Sequence, residues 1–384
     1  MTAKSFSSKL PEVGTTVFTV MSGLAAETAA INLSQGFPDF DCDPKLTEAV
    51  AMAMRDAKNQ YAPMAGLMSL RKQIAVRVEQ LYGAKYDPVS EITIFSGATE
   101  ALLSAIFALL HPGEEAIVLE PAYDSYLPAI KLAGGVAVRI PLRFPDYSID
   151  WEEVKGKITN KTRLILVNSP HNPTGSVLAA SDLEELQKIA LEHGIIVIGD
   201  EVYEHMIYDG LQHESICRYP DLAAQSMVIS SFGKSLHVTG WKVGYCLAPE
   251  ALSKEFRKVH QFATFSTSTP FQHGIAHYLE HEFDKVIGLS DFYQKKRDLF
   301  LQLMEGSKFE PLPCKGTYFQ LMKYKEVSAL PDYEFSKWLT REKGVACIPV
   351  SVFYEDKVDN RVVRFCFAKT EAVLAAACER LQEL

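Results

Sequence analysis

The sequence predicts a protein of the α/β class, in which a largely parallel sheet lies between helices and a smaller α+β part follows. From about residue 88, short apolar runs alternate with amphipathic stretches, a pattern typical of parallel strands that are buried on both faces. Beyond about residue 318, short strands and helices are interleaved instead. A chain of 384 residues is long enough for about two to three domains.

The first part of the chain contains five continuous apolar runs, each followed by small or polar residues. They predict strands at 92–95, 116–119, 164–167, 195–198 and 227–229. Helices are predicted at 101–110 and 181–193, and Ser181 is a candidate N-cap of the second helix. In sheets of this kind, ligands bind beyond the carboxyl ends of the strands. The residues that follow each apolar run are therefore the candidates for chemistry.

The carboxyl-terminal part has a different order of elements. Its predicted strands are 318–322, 346–349 and 362–367, and its predicted helices lie near 332–343 and 370–384. The last helix has the spacing of an amphipathic helix packed on a core, with Leu374, Ala377, Leu381 and Leu384 on one face.

The composition is typical of a globular protein, with 47% hydrophobic and 23% charged residues. The formal net charge of −9 argues against a nucleic-acid binder that relies on general electrostatics. Residues 1–6 lack the long apolar core of a signal peptide, and no apolar run has the length of a membrane span. The seven cysteines are scattered and form neither a C-x-x-C pair nor a zinc ligand set with histidine. We therefore expect a cytoplasmic protein with free thiols.

Lys234 lies in the most informative stretch of the chain, which runs from Ser230 to Tyr245, directly after the apolar run 227–229. A lysine among small residues at a strand end can face a cleft and form a Schiff base with an aldehyde cofactor. Ser231 and Lys242 flank it as candidate partners for a phosphate. Considered alone, a lysine in such a stretch is more often an exposed residue of a loop.

Two charged residues occupy positions where charge is costly unless it is paired. Asp200 follows the apolar run 195–198, where its carboxylate could hold a protonated pyridine nitrogen or could instead cap a helix. Arg364 lies inside an apolar strand, where its guanidinium could bind a substrate carboxylate at two points or form a structural ion pair.

Three further stretches are ambiguous when taken alone. The run 96–100 opens a helix, and backbone amides at a helix start suit a phosphate. The run 168–175 has the content of a turn. Tyr123 follows the strand at 116–119 and could stack on a cofactor or lie in the core.

Taken together, these strings resemble the class I and II pyridoxal-phosphate aminotransferases. The stretch around Lys234 resembles the signature S-F-G/S-K-x-x-x-x-x-G-W-[RK]-x-G-[YF], residues 200–203 read D-E-V-Y, and residues 168–175 resemble N-x-P-H-N-P-T-G. The resemblance extends from about Gly14 to the carboxyl terminus. It is strongest to the branch of bacterial methionine aminotransferases and kynurenine aminotransferases.

The resemblance implies fold type I, with a mostly parallel seven-stranded sheet in a large cofactor-binding domain at 46–276. A small domain would combine 1–45 with 277–384. It also implies a pyridoxal 5′-phosphate cofactor and a homodimer with shared active sites.

The resemblance implies a role for each matched residue. Lys234 would form the Schiff base, Asp200 would hold the pyridine nitrogen, and Tyr123 would stack on the ring. Tyr203 and Asn172 would contact the ring 3′-oxygen. The phosphate would be bound by Ala98, Thr99, Ser231 and Lys242, and by Tyr61 of the neighbouring subunit. Many relatives have arginine at the position of Lys242. Lysine supplies the same charge but lacks the two-point geometry of arginine.

The substrate carboxylate would be held by Arg364 and Asn172 next to Gly36. Phe18, Phe265 and Phe353 are candidates for an apolar pocket around the substrate side chain. We therefore expect ping-pong transfer of the amino group of methionine or aromatic amino acids to a 2-oxo acid, with glutamine, leucine and kynurenine as further possible donors.

Other functions are less well supported. A cysteine-conjugate β-lyase would use the same cofactor residues, and only its products would distinguish it. A ligand-sensing regulator would need a DNA-binding region, for which the fold pattern leaves no room. A hydride-transfer enzyme is disfavoured because no G-x-G-x-x-G follows the first strand.

Overall fold

A computed structural model describes residues 7–384 and contains one large and two smaller sheets. The strands are β1 (Ile31–Asn32), β2 (Ile92–Phe95), β3 (Glu115–Glu120), β4 (Val136–Pro141), β5 (Thr162–Asn168), β6 (Ile196–Asp200), β7 (Ser226–Ser231), β8 (Gly244–Leu247), β9 (Glu310–Pro311), β10 (Phe319–Lys323), β11 (Val345–Ala346), β12 (Ile348–Pro349) and β13 (Val362–Cys366). The largest sheet has seven strands in the order β2-β8-β7-β6-β5-β3-β4. Only β8 runs antiparallel to its neighbours. The predicted seven-stranded, mostly parallel sheet is thus confirmed.

Helices cover the sheets and connect the strands. They are α1 (Val17–Glu27), α2 (Pro44–Arg55), α3 (Met68–Tyr82), α4 (Ala98–Leu109), α5 (Tyr126–Leu132), α6 (Trp151–Lys157), α7 (Ala180–His193), α8 (Pro220–Ala223), α9 (Phe232–Ser235), α10 (Glu250–Ala263), α11 (Thr269–His281), α12 (Phe283–Ile287), α13 (Leu289–Leu303), α14 (Asp332–Glu342) and α15 (Glu371–Gln382). Within residues 7–384, none of these helices is both long enough and apolar enough to cross a membrane.

The central strands are continuously apolar because both faces of the sheet are covered. Side chains alternate between the faces along a strand. In β5, for example, Ile165 belongs to the core cluster on one side and Leu166 to the cluster on the other, and both are buried. A helix packs on each face, so neither face needs polar residues.

The carboxyl-terminal part forms an antiparallel sheet in the order β12-β13-β10-β9. The amino-terminal β1 pairs in parallel with β11, with Ile31 opposite Val345. This pairing brings the start of the described chain to its carboxyl-terminal part. The domain limits at 46–276, and at 1–45 with 277–384, stay a prediction, and residues 1–6 lie outside the described residues.

Several predicted boundaries were wrong in detail. The predicted strand at 195–198 runs from Ile196 to Asp200, and the predicted strand at 346–349 is split into β11 and β12 by Cys347. Ser181 is not the N-cap of α7, because that helix already begins at Ala180. The carboxylate of Asp182 accepts a hydrogen bond from the backbone N–H of Ala179 at 2.8 Å and closes the helix start.

Candidate active site

A cavity of about 140 Å³ opens at the carboxyl edge of the central sheet. Its lining comes from the residues that follow β2, β3, β5, β6 and β7. Nine of the residues singled out in the sequence line it together: Ala98, Thr99, Tyr123, Asn172, Asp200, Tyr203, Ser231, Lys234 and Lys242. Residues separated by up to 144 positions in the sequence therefore meet in one place because parallel strands end at the same edge.

Lys234 lies on α9, the single helical turn that follows β7. Its Nζ donates hydrogen bonds to Tyr318 Oη at 2.9 Å and to the carbonyl oxygen of Gly36 at 3.2 Å. Burial lowers the pKa of Lys234 to about 8. A substantial fraction of the amine is thus neutral near physiological pH, as a nucleophile or general base requires. Lys234 faces the cavity and is not an exposed loop lysine.

Asp200 ends β6 and is buried. Tyr126 Oη donates to its Oδ2 at 2.6 Å, and the backbone N–H of Val202 donates to Oδ1 at 3.4 Å. Burial raises the pKa of Asp200 to about 6, and the hydrogen bond from Tyr126 acts in the opposite direction. No helix begins in the turn at 201–204, so Asp200 is not a helix cap. The carboxylate instead forms part of the cavity wall, where a positive partner would stabilise it.

The loop after β5 is more than a surface turn. Asn168 Nδ2 donates to the backbone carbonyl of Asp200 at 2.7 Å, and Asn168 Oδ1 accepts from the backbone N–H of Asn172 at 2.8 Å. These two bonds fix the loop to the end of β6. As a result, the side chain of Asn172 lies between the cavity and Arg364.

Arg364 reaches this region from β13, and only 1% of it is exposed. Its Nη1 donates to Asn172 Oδ1 at 2.7 Å and its Nη2 donates to the carbonyl oxygen of Ser34 at 3.3 Å. Both acceptors are neutral, and Nε has no hydrogen-bond partner among residues 7–384. Burial lowers the pKa of Arg364. The Arg364 guanidinium therefore forms no salt bridge within residues 7–384, and its positive charge is available to an anion, whose binding there stays a prediction.

Aromatic rings enclose the guanidinium of Arg364. Its Cζ lies 3.8 Å from the ring centroid of Phe319 and 5.4 Å from those of Phe18 and Phe353. Phe18 and Phe353 were predicted as pocket residues, and the structure places both here. Water is largely excluded, so an ion pair formed at this point would be strong.

At the other end of the cavity, the start of α4 lies next to Lys242. The N-cap Gly97 has a φ of 82°, and a Cβ built on it would lie 3.3 Å from Lys242 Nζ. Unpaired backbone amides at a helix start and a nearby ammonium both favour a phosphate dianion. Ser231 adds a hydroxyl to the same wall. These groups lie where a phosphate could reach all of them, and their role in binding one stays a prediction.

Two tyrosines form further walls of the cavity. Tyr123 is half-buried, lines the cavity and packs edge-to-face on Tyr126, with ring centroids 5.7 Å apart. Tyr203 is buried, and its ring centroid lies 5.5 Å from Lys234 Nζ. Tyr123 is therefore a cavity residue and not a core tyrosine.

Six predicted residues do not line the cavity itself: Arg364, Phe18 and Phe353, which lie together beyond Asn172, and Gly36, Tyr61 and Phe265. Gly36 contributes only its carbonyl oxygen, which contacts Lys234, and a Cβ at this position would lie 2.9 Å from Phe319. Tyr61 is 82% exposed and packs on Phe265, with ring centroids 5.2 Å apart. Within one chain, Tyr61 and Phe265 therefore do not contribute to the cavity wall.

Sequence reasoning missed Tyr126 and Tyr318. Tyr126 belongs to the run P-A-Y-D-S-Y, and Tyr318 to G-T-Y-F. Each contacts a central residue of the cavity through its hydroxyl. The sequence could have pointed to these two tyrosines only because each lies in a motif already matched to the family.

The profile of the family described as "Aminotransferase class I and II" matches residues 28–381. The chain belongs to this family. It is 49% identical over 377 residues to a methionine aminotransferase of Escherichia coli, and the alignment covers 98% of each chain. It is 33% identical to human kynurenine–oxoglutarate transaminase 1, covering 94% of this chain and 93% of the human protein.

Solved structures show the same relationship. The crystal structure of YbdL from Escherichia coli, identified as a methionine aminotransferase, superposes with a TM-score of 0.98, 48% identity and full coverage of both chains. Aspartate aminotransferase from Thermus thermophilus superposes with a TM-score of 0.91 and 29% identity, covering 99% of this chain and 100% of that one. The fold is therefore fold type I, as predicted.

Members of this family use pyridoxal phosphate, and the cavity fits that cofactor. A lysine amine with a lowered pKa, a buried carboxylate and a helix start with an adjacent ammonium are the three groups needed for its aldehyde, its ring nitrogen and its phosphate. The protein is thus a pyridoxal-phosphate-dependent aminotransferase. Its substrates are amino acids and 2-oxo acids.

Proposed function

We propose that this aminotransferase takes the amino group of methionine and of aromatic amino acids and passes it to a 2-oxo acid by a ping-pong mechanism. The observation that carries the choice of donor is the 49% identity to the methionine aminotransferase of Escherichia coli over 98% of both chains. The aromatic surroundings of Arg364 support it, because they suit an apolar or aromatic side chain next to the carboxylate.

When bound, pyridoxal phosphate supplies an aldehyde that bonds to amines and a ring that accepts the electron pair left when Cα loses its proton. Asp200 would keep a proton on the ring nitrogen, since its buried carboxylate gains a positive partner by doing so. Lys242, Ser231 and the amides of Ala98 and Thr99 would hold the phosphate. Tyr61 of the neighbouring subunit would complete that site.

Arg364 and Asn172 would orient the substrate. The guanidinium would bind the α-carboxylate and gain the anionic partner that it lacks among the described residues. Asn172 would hold the same carboxylate and the ring 3′-oxygen, to which Tyr203 would also donate. These contacts fix the Cα–H bond of the substrate relative to Lys234.

Lys234 would hold the cofactor through its amine in the resting enzyme and would act as general base when that amine is free. Its amine would then take the proton from the substrate Cα and hold it next to the reacting atoms. The pKa of about 8 leaves a useful fraction of the amine neutral. The same residue would run these steps in reverse with the 2-oxo acid.

The proposed homodimer is supported by an exposed aromatic cluster. Tyr61, Phe262 and Phe265 are 82%, 87% and 46% exposed, and large aromatic side chains rarely remain in water together. A second copy of the chain on this face would cover them. It would also bring Tyr61 towards the phosphate site of that copy. The cytoplasmic location and the domain limits remain part of the same proposal.

An absorbance titration of the purified protein with bound cofactor tests the choice of donor. Methionine or an aromatic amino acid should convert the yellow aldehyde form to the pyridoxamine form, whereas aspartate should do so poorly. Release of ammonia and pyruvate from a cysteine conjugate, with the yellow band retained, would identify a β-lyase instead. No conversion by methionine or any aromatic amino acid would contradict the proposed donors.

A further inference from the structure

Tyr318 makes the shortest hydrogen bond of the Lys234 amine. Their Oη and Nζ atoms are 2.9 Å apart, and Tyr318 is fully buried. Tyr318 precedes β10, in the carboxyl-terminal part of the chain, whereas Lys234 follows β7 of the central sheet. The contact therefore joins the two parts of the molecule at the reacting nitrogen.

The hydroxyl of Tyr318 has a defined direction. It donates to the carbonyl oxygen of Gly36 at 2.6 Å, because a carbonyl can only accept. Burial raises the pKa of Tyr318 well above its ordinary value, so the hydroxyl keeps its proton. Towards Lys234 it must consequently act as an acceptor. Since the same Gly36 carbonyl accepts from Nζ at 3.2 Å, the amine lies between two oxygen acceptors.

The backbone around Tyr318 leaves the ring little freedom. A Cβ on Gly316 would lie 2.7 Å from Pro170 Cβ and 2.8 Å from the carbonyl oxygen of Met206. The backbone N–H of Thr317 donates to that same carbonyl at 3.0 Å. The loop is thus packed against the turn that follows Tyr203, and the hydroxyl is held at a fixed point.

We propose that Tyr318 holds the Lys234 amine in place whenever the lysine is not bonded to the cofactor. In each half-reaction the lysine must leave the cofactor carbon and remain within reach of the substrate Cα. The Tyr318 hydroxyl and the Gly36 carbonyl are the two acceptors that can hold it there, above the ring of Tyr203. This inference rests on the proposed role of Lys234, and it makes Tyr318 a positioning residue.

The substitution Tyr318→Phe tests the inference, because it removes the hydroxyl and keeps the ring. Tyr293→Phe is the matched control. Tyr293 is equally buried, its ring centroid lies 5.6 Å from that of Tyr318, and its hydroxyl has no partner in the described part of the chain. Both variants lose one buried hydroxyl from the same aromatic cluster, but only one of them loses a bond to Lys234.

The first readout uses the cofactor-free protein and requires no catalysis. The pH dependence of Lys234 acylation by an amine-reactive reagent is followed by mass spectrometry of its peptide. A hydrogen bond to an ammonium stabilises the charged form, so Tyr318→Phe should move the midpoint to a lower pH than in wild type. Tyr293→Phe should leave the midpoint in place. Equal midpoints in all three proteins would overturn the inference.

The second readout is the rate of a single half-reaction with methionine in the loaded enzyme. Tyr318→Phe should lower the rate at saturating methionine by about 10- to 100-fold, the size expected for one hydrogen bond to a charged group, with little change in half-saturation. A rate equal to that of Tyr293→Phe would contradict the inference. If wild type itself fails to convert methionine, the proposed donor is wrong, and the acylation midpoints still decide the question of Tyr318.

Discussion

The two ends of the active site are built differently. At the cofactor end, side chains that follow different strands of the central sheet are paired with each other, as in the 2.6 Å bond between Tyr126 on α5 and Asp200 at the end of β6. At the carboxylate end, Arg364 comes from a different sheet and has only neutral acceptors, with its Nε unpaired within residues 7–384. At the first end, each oxygen of the Asp200 carboxylate already accepts a hydrogen bond before a ligand binds, whereas Nε of the Arg364 guanidinium at the second end has no acceptor in the described part of the chain. We infer that the first suits a group that stays bound and the second a group that is exchanged in every turnover.

Arg364→Gln is expected to have the largest effect, and it should impair the carboxylate end without affecting the cofactor end. The variant removes the cation that the substrate carboxylate needs, so kcat/KM for methionine should fall by about 10²- to 10³-fold, as for the loss of a buried charge pair. The dissociation constant of pyridoxal phosphate should stay unchanged, because Arg364 lies at the other end. Arg364→Lys should recover part of the activity because it keeps the charge. An equal loss of cofactor affinity would contradict the separation.

The second effect is the loss of folding stability that the buried Asp200 carboxylate causes when no cofactor is bound. Its folded-state pKa of about 6 lies above the ordinary value of 3.8, so the folded protein binds the extra proton more tightly than the unfolded chain does. Unfolding free energy should therefore rise as pH falls from about 6 to 3.8, by about 3 kcal/mol for this group, since one pKa unit is worth about 1.4 kcal/mol.

Asp200→Asn is the control for that pH dependence. Denaturant unfolding of the cofactor-free protein, compared between wild type and this variant at each pH, isolates the contribution of the carboxylate. The difference in stability should favour the variant above pH 6 and shrink at lower pH. A difference that did not vary with pH would mean that the carboxylate is not under strain in the cofactor-free protein.

Tyr126→Phe should have a smaller effect, confined to the cofactor end. Loss of the hydroxyl removes one hydrogen bond to the Asp200 carboxylate, so the affinity for pyridoxal phosphate should fall by about tenfold. Half-saturation by methionine should not change. Tyr147→Phe is a suitable control, because Tyr147 is also buried and its hydroxyl has no partner among the described residues. A change in methionine half-saturation with unchanged cofactor affinity would show that Tyr126 acts at the carboxylate end instead.

The smallest effect is expected at the aromatic wall of the carboxylate end. Phe18→Leu keeps an apolar side chain on α1 but removes the ring that lies 5.4 Å from the Arg364 guanidinium. The loss of one weak cation–π contact should raise the KM for methionine by about two- to fivefold. Steady-state kinetics with methionine and phenylalanine would measure it. An unchanged KM for both substrates would show that Phe18 does not contribute to the pocket.

The sequence predicted the cofactor end better than the carboxylate end. Lys234 and Asp200 directly follow apolar strands, and the ends of parallel strands meet at one edge, so local pattern was enough to bring them together. The strands β4 and β8 were not predicted. β4 is a half-exposed edge strand that contains Arg139, and β8 has only four residues and begins with Gly244.

Side-chain contacts between residues that are far apart in the sequence could not be predicted. Tyr318 and Lys234 are 84 residues apart, and Tyr126 and Asp200 are 74 apart. Burial and hydroxyl direction decide these contacts, and neither is encoded in spacing. Tyr61 shows the same limit, because its motif could be recognised in the sequence but its exposure could not. In one chain it is exposed and does not line the cavity.

Hydrogen exchange at the substrate Cα shows whether Lys234 moves the proton there. Wild type and Lys234→Ala, both loaded with pyridoxal phosphate, are incubated with methionine in D₂O, and loss of the Cα proton signal is followed by NMR. We expect exchange in wild type and a rate at least about 10²-fold lower in the variant, partly restored by a small added amine. Exchange at the wild-type rate in Lys234→Ala would contradict it.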